Sequence, residues 1–481
     1  MDTHTLRLVL LFVFLVSSSL PSPTLSASSV RCNPSGKRVL LKIKKSLNNP
    51  QSLTSWNPNT NCCDWLGVSC DLQTNRVITL SFNGISIPGQ IPAAIGDLPY
   101  LDTLDFVNVA DLTGPIPYSI TKLQNLKMLR TLLTNISGPI PEFLHQLKNL
   151  WFLDLSYSNF SGPIPASLAN LPKLELLKLG GNKLTGNIPD SLWASQNRFL
   201  VLDLSQNQLS GDASALFKTN GTLSCLDLSW NEFDFDLSRV KLPESLQYMD
   251  LSHNRIRGSI PKEITGLNLY WLNVSYNRLC GEIPFGGKVQ EFAHNFTGSI
   301  PYSITKLQNL EILRISDTSL SGPIPEFLSQ LKCLWSLYLT YNQLSGPIPA
   351  SLASLNKLQI LMLYSNKLTG TIPDSFGSFK DGEYGGFTLD LSHNQLSGGI
   401  PTSINKIKVL DLSHNQIHGN IPKQLINKLD LESMDLSYNQ LCGKILFGGN
   451  VQKMGAKSFA HNRCLCGHHS RTSANKPVCM Q

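Results

Sequence analysis

The chain has 481 residues, of which 41% are hydrophobic and 15% are charged. This composition excludes a largely disordered chain, and the length suits either two or three ordinary domains or one long array of repeats. The formal net charge of +7 is small for this length and is not gathered into a long basic run, so nucleic acid is not an expected partner.

The N-terminus has the features of a secretion signal. Arg7 precedes the apolar run Leu8–Val16, and small and polar residues follow as far as Ser29. We therefore predict a signal peptide over residues 1–29 and a secreted product. No later apolar run reaches the length of about 18 residues that a membrane-spanning helix needs, so a spanning segment is not expected.

Cysteines cluster at both ends of the predicted mature chain, as is typical of disulfide-closed caps in an oxidising compartment. We place these caps at residues 30–75 and 442–481. The favoured pairs, which sequence alone does not fix, are Cys32 with Cys62, Cys63 with Cys70, Cys442 with Cys464, and Cys466 with Cys479. Cys225, Cys280 and Cys333 are left over.

Between the caps one phrase recurs: an LxL core, an Asn five residues after the first Leu, then LSG or a variant of it, then IP. The first apolar residue of each core is Leu80, Leu104, Leu129, Leu153, Leu177, Leu202, Leu226, Met249, Leu272, Leu313, Leu337, Leu361, Leu389, Leu410 and Met434. A unit of this size cannot bury its own leucines, so stacking of units into a curved solenoid is the expected fold.

Each position of the unit has a physical role. The leucines of LxL point into the core while the residue between them faces solvent, because side chains alternate along a strand. The Asn satisfies backbone groups where the chain turns away from the strand. Thr134, Ser158 and Thr318 replace this Asn, which predicts looser units there.

Three stretches resemble the plant polygalacturonase-inhibiting proteins: Arg31–Cys70, the segment GDASALF (Gly211–Phe217), and NRCLCG (Asn462–Gly467). The resemblance implies an α/β repeat fold, a right-handed leucine-rich-repeat solenoid of the plant extracellular type with a concave parallel sheet. It also implies location in the apoplast and cell wall. The implied function is inhibition of a fungal, or alternatively insect, endopolygalacturonase, whose cleft would meet the concave face.

The chain departs from the family because part of it is repeated. GPIPYSITKLQNL (Gly114–Leu126) returns as GSIPYSITKLQNL (Gly298–Leu310), which indicates an internal duplication. We therefore divide the repeats into a first block, 76–279, a seam that resembles a degenerate cap, 280–297, and a second block, 298–441. The seam either forms a half-repeat or interrupts the solenoid, and a fusion of two adjacent genes, or a gene prediction that joins them, would produce it.

The candidate binding residues lie on the predicted concave face. Asp154, Asp203, Asp227 and Asp250 occupy the position between the core leucines and form an acidic strip, while Trp151, Trp230, His253 and Trp271 lie in or beside the strands. Rigid aromatic side chains and an acidic strip suit a partner with a basic rim. The alternative is that Asp in LDLS serves only the scaffold and solubility.

Potential glycosylation sites of the form N-x-S/T begin at Asn135, Asn159, Asn220, Asn273 and Asn295. A glycan on Asn273 would obstruct one end of the concave face.

Catalytic and metal-binding interpretations are weak. DLSH brings Asp, Ser and His together at Asp250, Asp390 and Asp411, but its recurrence with the repeat indicates scaffold and not a catalytic triad. The run from Cys464 to His469 favours a disulfide cap over zinc. No cofactor is expected.

Two other functions fit the same pattern. One is a ligand-sensing module that cooperates with a membrane receptor, and the other is a wall protein that binds pectin through Lys and Arg without inhibiting an enzyme.

Overall fold

The computed structural model describes residues 31–194, 199–219, 221–279, 299–300, 302–318, 320–379, 386–404, 406–426, 431–445, 454–467 and 478–479. The predicted signal peptide and the predicted seam lie outside the described residues.

The N-terminal cap is a helix packed on a short hairpin. The helix Pro34–Ser46 begins at Asn33, whose side chain accepts a hydrogen bond from the Ser35 backbone N–H. Strand Val68–Cys70 pairs antiparallel with Val77–Asn83. Disulfides Cys32–Cys62 and Cys63–Cys70 close this cap, with Cα separations of 5.4 and 5.5 Å.

One parallel sheet lines the concave side, and each repeat contributes one strand to it. Its strands are Val77–Asn83, Thr103–Gly114, Met128–Gly138, Phe152–Asp154, Leu176–Lys178, Val201–Asp203, Cys225–Asp227, Tyr248–Asp250, Trp271–Asn273, Ile312–Arg314, Ser336–Tyr338, Ile360–Met362, Phe387–Asp390, Ile407–Asp411 and Ser433–Asp435. Equivalent positions of neighbouring units stand side by side, as in the pairing of Leu202 with Leu226. The concave parallel sheet and the leucine-rich-repeat fold predicted from the sequence are therefore confirmed.

The sheet continues across the predicted seam. Strand Trp271–Asn273 pairs directly with Ile312–Arg314, in the same parallel register as the other neighbours. The Tyr270 carbonyl accepts hydrogen bonds of 3.0 Å from the N–H groups of Glu311 and Ile312. The seam therefore does not interrupt the concave sheet.

The convex side carries short helical turns. Pro of the IP pair lies immediately before most of these turns, because its fixed φ suits a helix start and its missing N–H costs nothing there. The 3₁₀ turns of the repeats are Ala93–Asp97, Tyr118–Lys122, Glu142–Gln146, Ala166–Asn170, Leu237–Arg239, Lys262–Gly266, Tyr302–Lys306, Glu326–Gln330, Ala350–Ser354 and Asp374–Ser378, and the α-helical turns are Ser191–Ala194, Leu216–Thr219 and Lys423–Ile426.

Short parallel strands link the two sides of the repeats. They are Gly89–Gln90, Asn159–Pro163, Lys183–Asn187, Gln208–Gly211, Glu232–Phe233, Arg257–Gly258, Arg278–Leu279, Ser321–Pro323, Gln343–Gly346, Lys367–Leu368, His418–Gly419 and Asn439–Lys444.

The repeated Asn satisfies the backbone between units. Asn254 Nδ2 donates to the Leu228 carbonyl of the preceding unit at 2.8 Å, and its Oδ1 accepts from the Phe233 N–H at 3.0 Å. The same pattern recurs from Asn182 to Asn462. These bonds tie each unit to its predecessor where no regular secondary structure would satisfy the backbone.

Three units replace this amide with a hydroxyl group, and two of them, at Thr134 and Ser158, are adjacent. Thr134 Oγ1 lies 2.9 Å from Ser158 Oγ, and Ser158 Oγ donates to the Thr131 carbonyl at 2.6 Å. Thr131 itself occupies a core position normally held by leucine, is fully buried, and has a side-chain hydroxyl without a hydrogen-bond partner. This is a local weakness of the first block.

The C-terminal cap is built from strands Asn462–Gly467 and Val478–Cys479. Disulfide Cys442–Cys464 joins the first of these strands to the last repeat, with a Cα separation of 4.4 Å. Cys466 is disulfide-bonded and stands opposite Cys479 in the antiparallel pair, although the Cys479 side chain lies outside the described residues. Cys225 and Cys333 are free thiols.

Candidate functional site

The concave face carries an acidic column in the middle of the first block. Strand alternation buries Leu202 and Leu226 and turns Asp203 and Asp227 outward. Asp203, Asp227 and Asp250 stand directly side by side in register on consecutive strands. Neighbouring parallel strands are only about 4.8 Å apart, so these carboxylates form a closely spaced row.

Each carboxylate of this column also serves the scaffold. Asp227 Oδ1 accepts hydrogen bonds from the backbone N–H and the hydroxyl of Ser229, at 2.9 and 2.6 Å. Asp203 binds Ser205 in the same way. This bond fixes the turn after the strand, which explains why DLS recurs with the repeat. The scaffold alternative raised from the sequence therefore applies to one oxygen of each Asp.

The four predicted aspartates differ in accessibility. Asp154 and Asp250 are buried, with 2% and 6% of their surface exposed, whereas Asp203 and Asp227 are partly exposed. Asp250 Oδ2 is already bound by Asn273 Nδ2 at 2.9 Å and by Trp271 Nε1 at 3.3 Å. Asp203 and Asp227 are thus the members best placed to meet a partner.

The carboxylates of this row are buried or partly buried and repel one another. Burial, and then repulsion from Asp250 and Asp203, raise the pKa of Asp227 well above its usual value. Burial raises the pKa values of Asp154 and Asp250 as well. A cationic group brought to this column would relieve the repulsion, so the row favours a basic partner.

An apolar column that the sequence analysis did not single out runs beside the acidic one. Phe152, Leu176, Val201 and Cys225 pack together on the concave side, separate from the main core. They occupy the position just before the first core leucine, which alternation also directs outward. The sequence signal was available: this position is apolar in successive units of the first block.

An aromatic ladder, Trp230, His253 and Tyr276, lines the end of the concave strands. The Trp230 and His253 rings stack with centroids 3.7 Å apart, and His253 and Tyr276 stack at 4.1 Å. All three residues have φ of 54° to 55°, which non-glycine residues rarely adopt. This backbone geometry, held by hydrogen bonds to the next repeat, turns the rings outward in line.

The four aromatic residues predicted to contact a partner differ in their exposure to solvent. Trp230 is 56% exposed and His253 is partly exposed, so both are accessible at the ladder. Trp151 is partly exposed and packs against Phe152 in the apolar column. Trp271 is only 7% exposed and stacks on Tyr248, so little of its ring is available to a partner.

The asparagines of the potential glycosylation sites also differ in their exposure to solvent. Asn135 is exposed, and Asn159 is partly exposed. Asn273 is only 6% exposed and its amide donates to Asp250, so a glycan there is incompatible with this packing. Asn220 and Asn295 lie outside the described residues.

The resemblance segment GDASALF belongs to the scaffold and not to the concave face. Ala213, Leu216 and Phe217 are buried, and Phe217 packs against Phe235 with ring centroids 6.2 Å apart.

The second block has a related but different face. Asp390, Asp411 and Asp435 stand in register on its last concave strands. A second ladder stacks His393, His414, Tyr438 and His461 at 4.0 to 4.1 Å between ring centroids. The apolar column has no equivalent beside these aspartates, where Thr388, Val409 and Ser433 occupy the corresponding position. The last three concave strands of the second block therefore present aspartate and imidazole groups without a continuous apolar column.

The DLSH segments form no catalytic triad in the part of the chain that the structure describes. At each of them the Asp binds the Ser two residues later, and His253 and His414 point into the ring ladders. Cys32, Cys62 and Cys63 bring three sulfur atoms together, but these atoms are engaged in disulfides. None of the described helices is long and apolar enough to cross a membrane.

A continuous parallel sheet between disulfide-closed caps, with an acidic, apolar and aromatic concave face, defines a leucine-rich-repeat protein of the macromolecule-binding class. Residues 33–71 match the family model for the leucine rich repeat N-terminal domain. The leucine rich repeat model matches residues 149–171, 173–195, 245–267, 309–331, 333–355, 357–379, 387–407 and 406–427.

Curated relatives identify the family more closely. The chain is 51% identical over 318 residues to a polygalacturonase inhibitor of Vitis vinifera, an alignment that covers 59% of this chain and 93% of the relative. It is 53% identical over 264 residues to a polygalacturonase inhibitor of Pyrus communis, covering 50% of this chain and 78% of the relative. The chain belongs to the polygalacturonase inhibitor family.

Among solved structures, the chain is similar to that titled "Crystal structure of PEPR1-AtPEP1", with a TM-score of 0.60 and 26% identity. That alignment covers 90% of this chain and 69% of the other.

Proposed function

We propose that this protein is a secreted inhibitor of fungal endopolygalacturonases that acts in plant defence, in the apoplast and cell wall. The observation that carries the proposal is the 51% identity to a polygalacturonase inhibitor across 93% of that relative. The concave face of the first block supports it, because partly exposed carboxylates and an exposed tryptophan lie on neighbouring repeats.

The mechanism is occlusion of the enzyme's cleft. Asp203 and Asp227 attract basic groups at the rim of the cleft, and relief of the repulsion within the acidic row favours the bound state. Trp230 supplies a large rigid contact that loses little conformational freedom, since His253 already holds one face of its ring. Pectin then cannot enter the cleft, and no bond of this chain is made or broken.

The test is the rate of polygalacturonic acid hydrolysis by a panel of fungal endopolygalacturonases, with and without the purified full chain. An insect enzyme belongs in the panel. We expect inhibition of at least one fungal enzyme, and much weaker inhibition by the double variant Asp203→Asn, Asp227→Asn. Failure of a correctly folded chain to inhibit any enzyme would refute the proposal.

Two alternatives predict different outcomes. A wall protein would bind pectin in sedimentation experiments without slowing any enzyme. A ligand-sensing module would bind a membrane-receptor ectodomain and not a polygalacturonase.

A further inference from the structure

An arginine near the middle of the concave face has a different environment from its counterpart in the first block. Arg314 follows the sequence EIL in the second block, as Arg130 follows KML in the first, and both segments continue to SGPIPEFL. The two arginines occupy the same outward position of the unit, between the inward side chains of an LxL-type core. Their neighbours on the preceding strand, however, are not the same.

Arg130 is neutralised within the molecule. Asp105 stands beside it in register on the preceding strand, and its two carboxylate oxygens accept hydrogen bonds from Arg130 Nε and Nη2 at 2.7 and 2.9 Å. This is the paired geometry in which arginine binds a carboxylate most strongly. The Arg130 guanidinium is therefore already paired and is not expected to bind an external anion.

Arg314 lacks such a partner. The strand before it is Trp271–Asn273, so Asn273 stands where Asp105 stands in the first block. No carboxylate forms an ion pair with Arg314 in the described part of the chain, and its Nε is buried without a hydrogen-bond acceptor. The next carboxylate along the face, Asp250, is already bound by Trp271 and Asn273.

Aromatic rings hold this guanidinium in place. Its central carbon lies 3.8 Å from the centroid of the Tyr338 ring and 5.9 Å from that of Trp271. Stacking on these rings fixes the plane of the group and lowers the entropy cost of binding a carboxylate. Arg314 is thus a pre-positioned cation that is partly exposed on the concave face.

We propose that Arg314 is an anchor for an acidic side chain of a protein partner, and that this acid is flanked by basic residues on the partner's surface. The flanking pattern follows from charge complementarity. Asp203, Asp227 and Asp250 lie on one side of Arg314, and Asp390, Asp411 and Asp435 lie on the other. A polyuronate chain laid along the face would meet both acidic rows, whereas a protein surface can alternate its charges to match.

Strand spacing gives the dimensions of the matching pattern. Arg314 lies three strands from Asp227, which is the nearest partly exposed carboxylate of the first block, and three strands from Asp390. At about 4.8 Å per strand, the basic groups are expected about 14 Å from the acid on either side. This proposal uses the same concave face as the proposed function, but its test does not need a polygalacturonase.

The probe is a synthetic Gly/Ser peptide with one glutamate, a lysine four positions before it and a lysine four positions after it, which in an extended chain matches those distances and places all three side chains on one face. A second peptide carries glutamine in place of the glutamate. Binding to the full chain is measured at low salt by tryptophan fluorescence. We expect the glutamate peptide to bind at least about 10-fold more tightly, since a charge-assisted pair distinguishes it from glutamine.

Variants of the full chain assign that preference to Arg314. Arg314→Gln is expected to reduce the preference to about 1-fold. Asn273→Asp places a carboxylate beside Arg314, as Asp105 stands beside Arg130. This variant keeps the guanidinium but is expected to lose most of the preference for glutamate. It therefore tests the proposal even if Arg314→Gln folds poorly. Arg255→Gln removes an exposed arginine that is paired with Glu232, and is expected to leave the preference unchanged.

Equal affinity for the two peptides, or no binding of either, would overturn the proposal. An oligogalacturonate that binds more tightly than the glutamate peptide, and loses its affinity in Arg314→Gln, would also overturn the assignment to a protein partner. If a polygalacturonase is inhibited by the full chain, Arg314→Gln is expected to raise its inhibition constant about 10-fold. If the full chain inhibits no enzyme of the panel but still prefers the glutamate peptide, only the proposed function is refuted.

Discussion

The Trp230 and His253 rings lie 3.7 Å apart with their planes inclined by only 11°. Each residue holds a left-handed backbone conformation just before the Asn of its own repeat. Stacking therefore joins adjacent repeats at the surface, while the Asn joins them inside. The stacked pair therefore holds the accessible tryptophan of the proposed binding face at a position set by the spacing of the repeats.

Trp230→Ala is expected to weaken polygalacturonase inhibition about 10- to 100-fold, because an exposed, pre-oriented tryptophan is the kind of side chain that dominates protein interfaces. The free energy of unfolding should fall by no more than about 1 kcal/mol, since over half of the side chain is already in water. Inhibition constants and urea denaturation measure the two effects. Tyr341→Ala is the matched control, because Tyr341 is 49% exposed at the equivalent turn of the second block. Equal losses of inhibition in the two variants would contradict the assignment to Trp230.

Asp227→Asn and Asp250→Asn are expected to change stability in opposite directions at pH 7. At Asp227 the amide oxygen can still accept from Ser229 and the repulsion along the row is removed, so a stabilisation of about 1 kcal/mol is expected. At Asp250 an amide nitrogen would face the donors of Trp271 and Asn273, which costs about 1–3 kcal/mol. Urea denaturation at fixed ionic strength measures both. A destabilised Asp227→Asn would mean that its charge supports the fold.

His253 makes the stability of the folded chain pH-dependent. Burial, followed by the positive charge of Arg314, lowers its pKa to about 4. The unfolded chain, in which His has a pKa near 6.5, therefore binds this proton first as the pH falls, and stability decreases between about pH 6.5 and pH 4. Since the side chain is partly exposed, the effect is expected to be only about 1 kcal/mol.

The raised pKa of Asp227 has the opposite effect, since the folded chain takes up that proton first as the pH falls. The His253 contribution is therefore isolated by comparing the wild type with His253→Phe, which keeps the stacked ring but cannot titrate. The two chains should diverge on acidification, with the variant losing less stability. Parallel curves from pH 7 to pH 4 would show that His253 does not carry the effect.

Thr131→Val is expected to stabilise the protein by about 1 kcal/mol. Thr131 is fully buried and its hydroxyl has no hydrogen-bond partner, so valine of the same shape removes an unsatisfied polar group. Thr134→Val should instead destabilise by about 1–2 kcal/mol, because the Thr134 hydroxyl is bonded to Ser158. Thermal unfolding of the two variants provides the comparison, and a lower midpoint for Thr131→Val would contradict the interpretation.

A chain that ends at Asn295 is expected to be less stable than the full chain by about 3 kcal/mol or more. The truncation removes strand Ile312–Arg314, which pairs with Trp271–Asn273, and exposes buried residues such as Leu272 and Val274. Its thermal unfolding and aggregation are compared with those of the full chain. Equal stability and equal inhibition would show that the second block is dispensable.

The sequence by itself determined the repeat, its register and its concave columns. The spacing of LxL and Asn fixed which side chains point inward, because strand alternation and the demand for satisfied backbone groups leave little choice. Asp203, Asp227, Trp230 and His253 were therefore predicted to lie on or beside the binding face, although their contribution to binding is still a prediction.

Only the tertiary structure decided how these side chains are used. Trp271 and Asn273 occupy outward strand positions in the sequence pattern, yet both are buried, because they pack beside Asp250 and neighbouring rings. Likewise, the sequence placed Arg130 and Arg314 at the same position of the unit, but the strand that pairs with each is known only from the fold. Asp105 neutralises the charge of Arg130. Asn273, which stands beside Arg314, carries no charge, so the Arg314 guanidinium can bind an external acid.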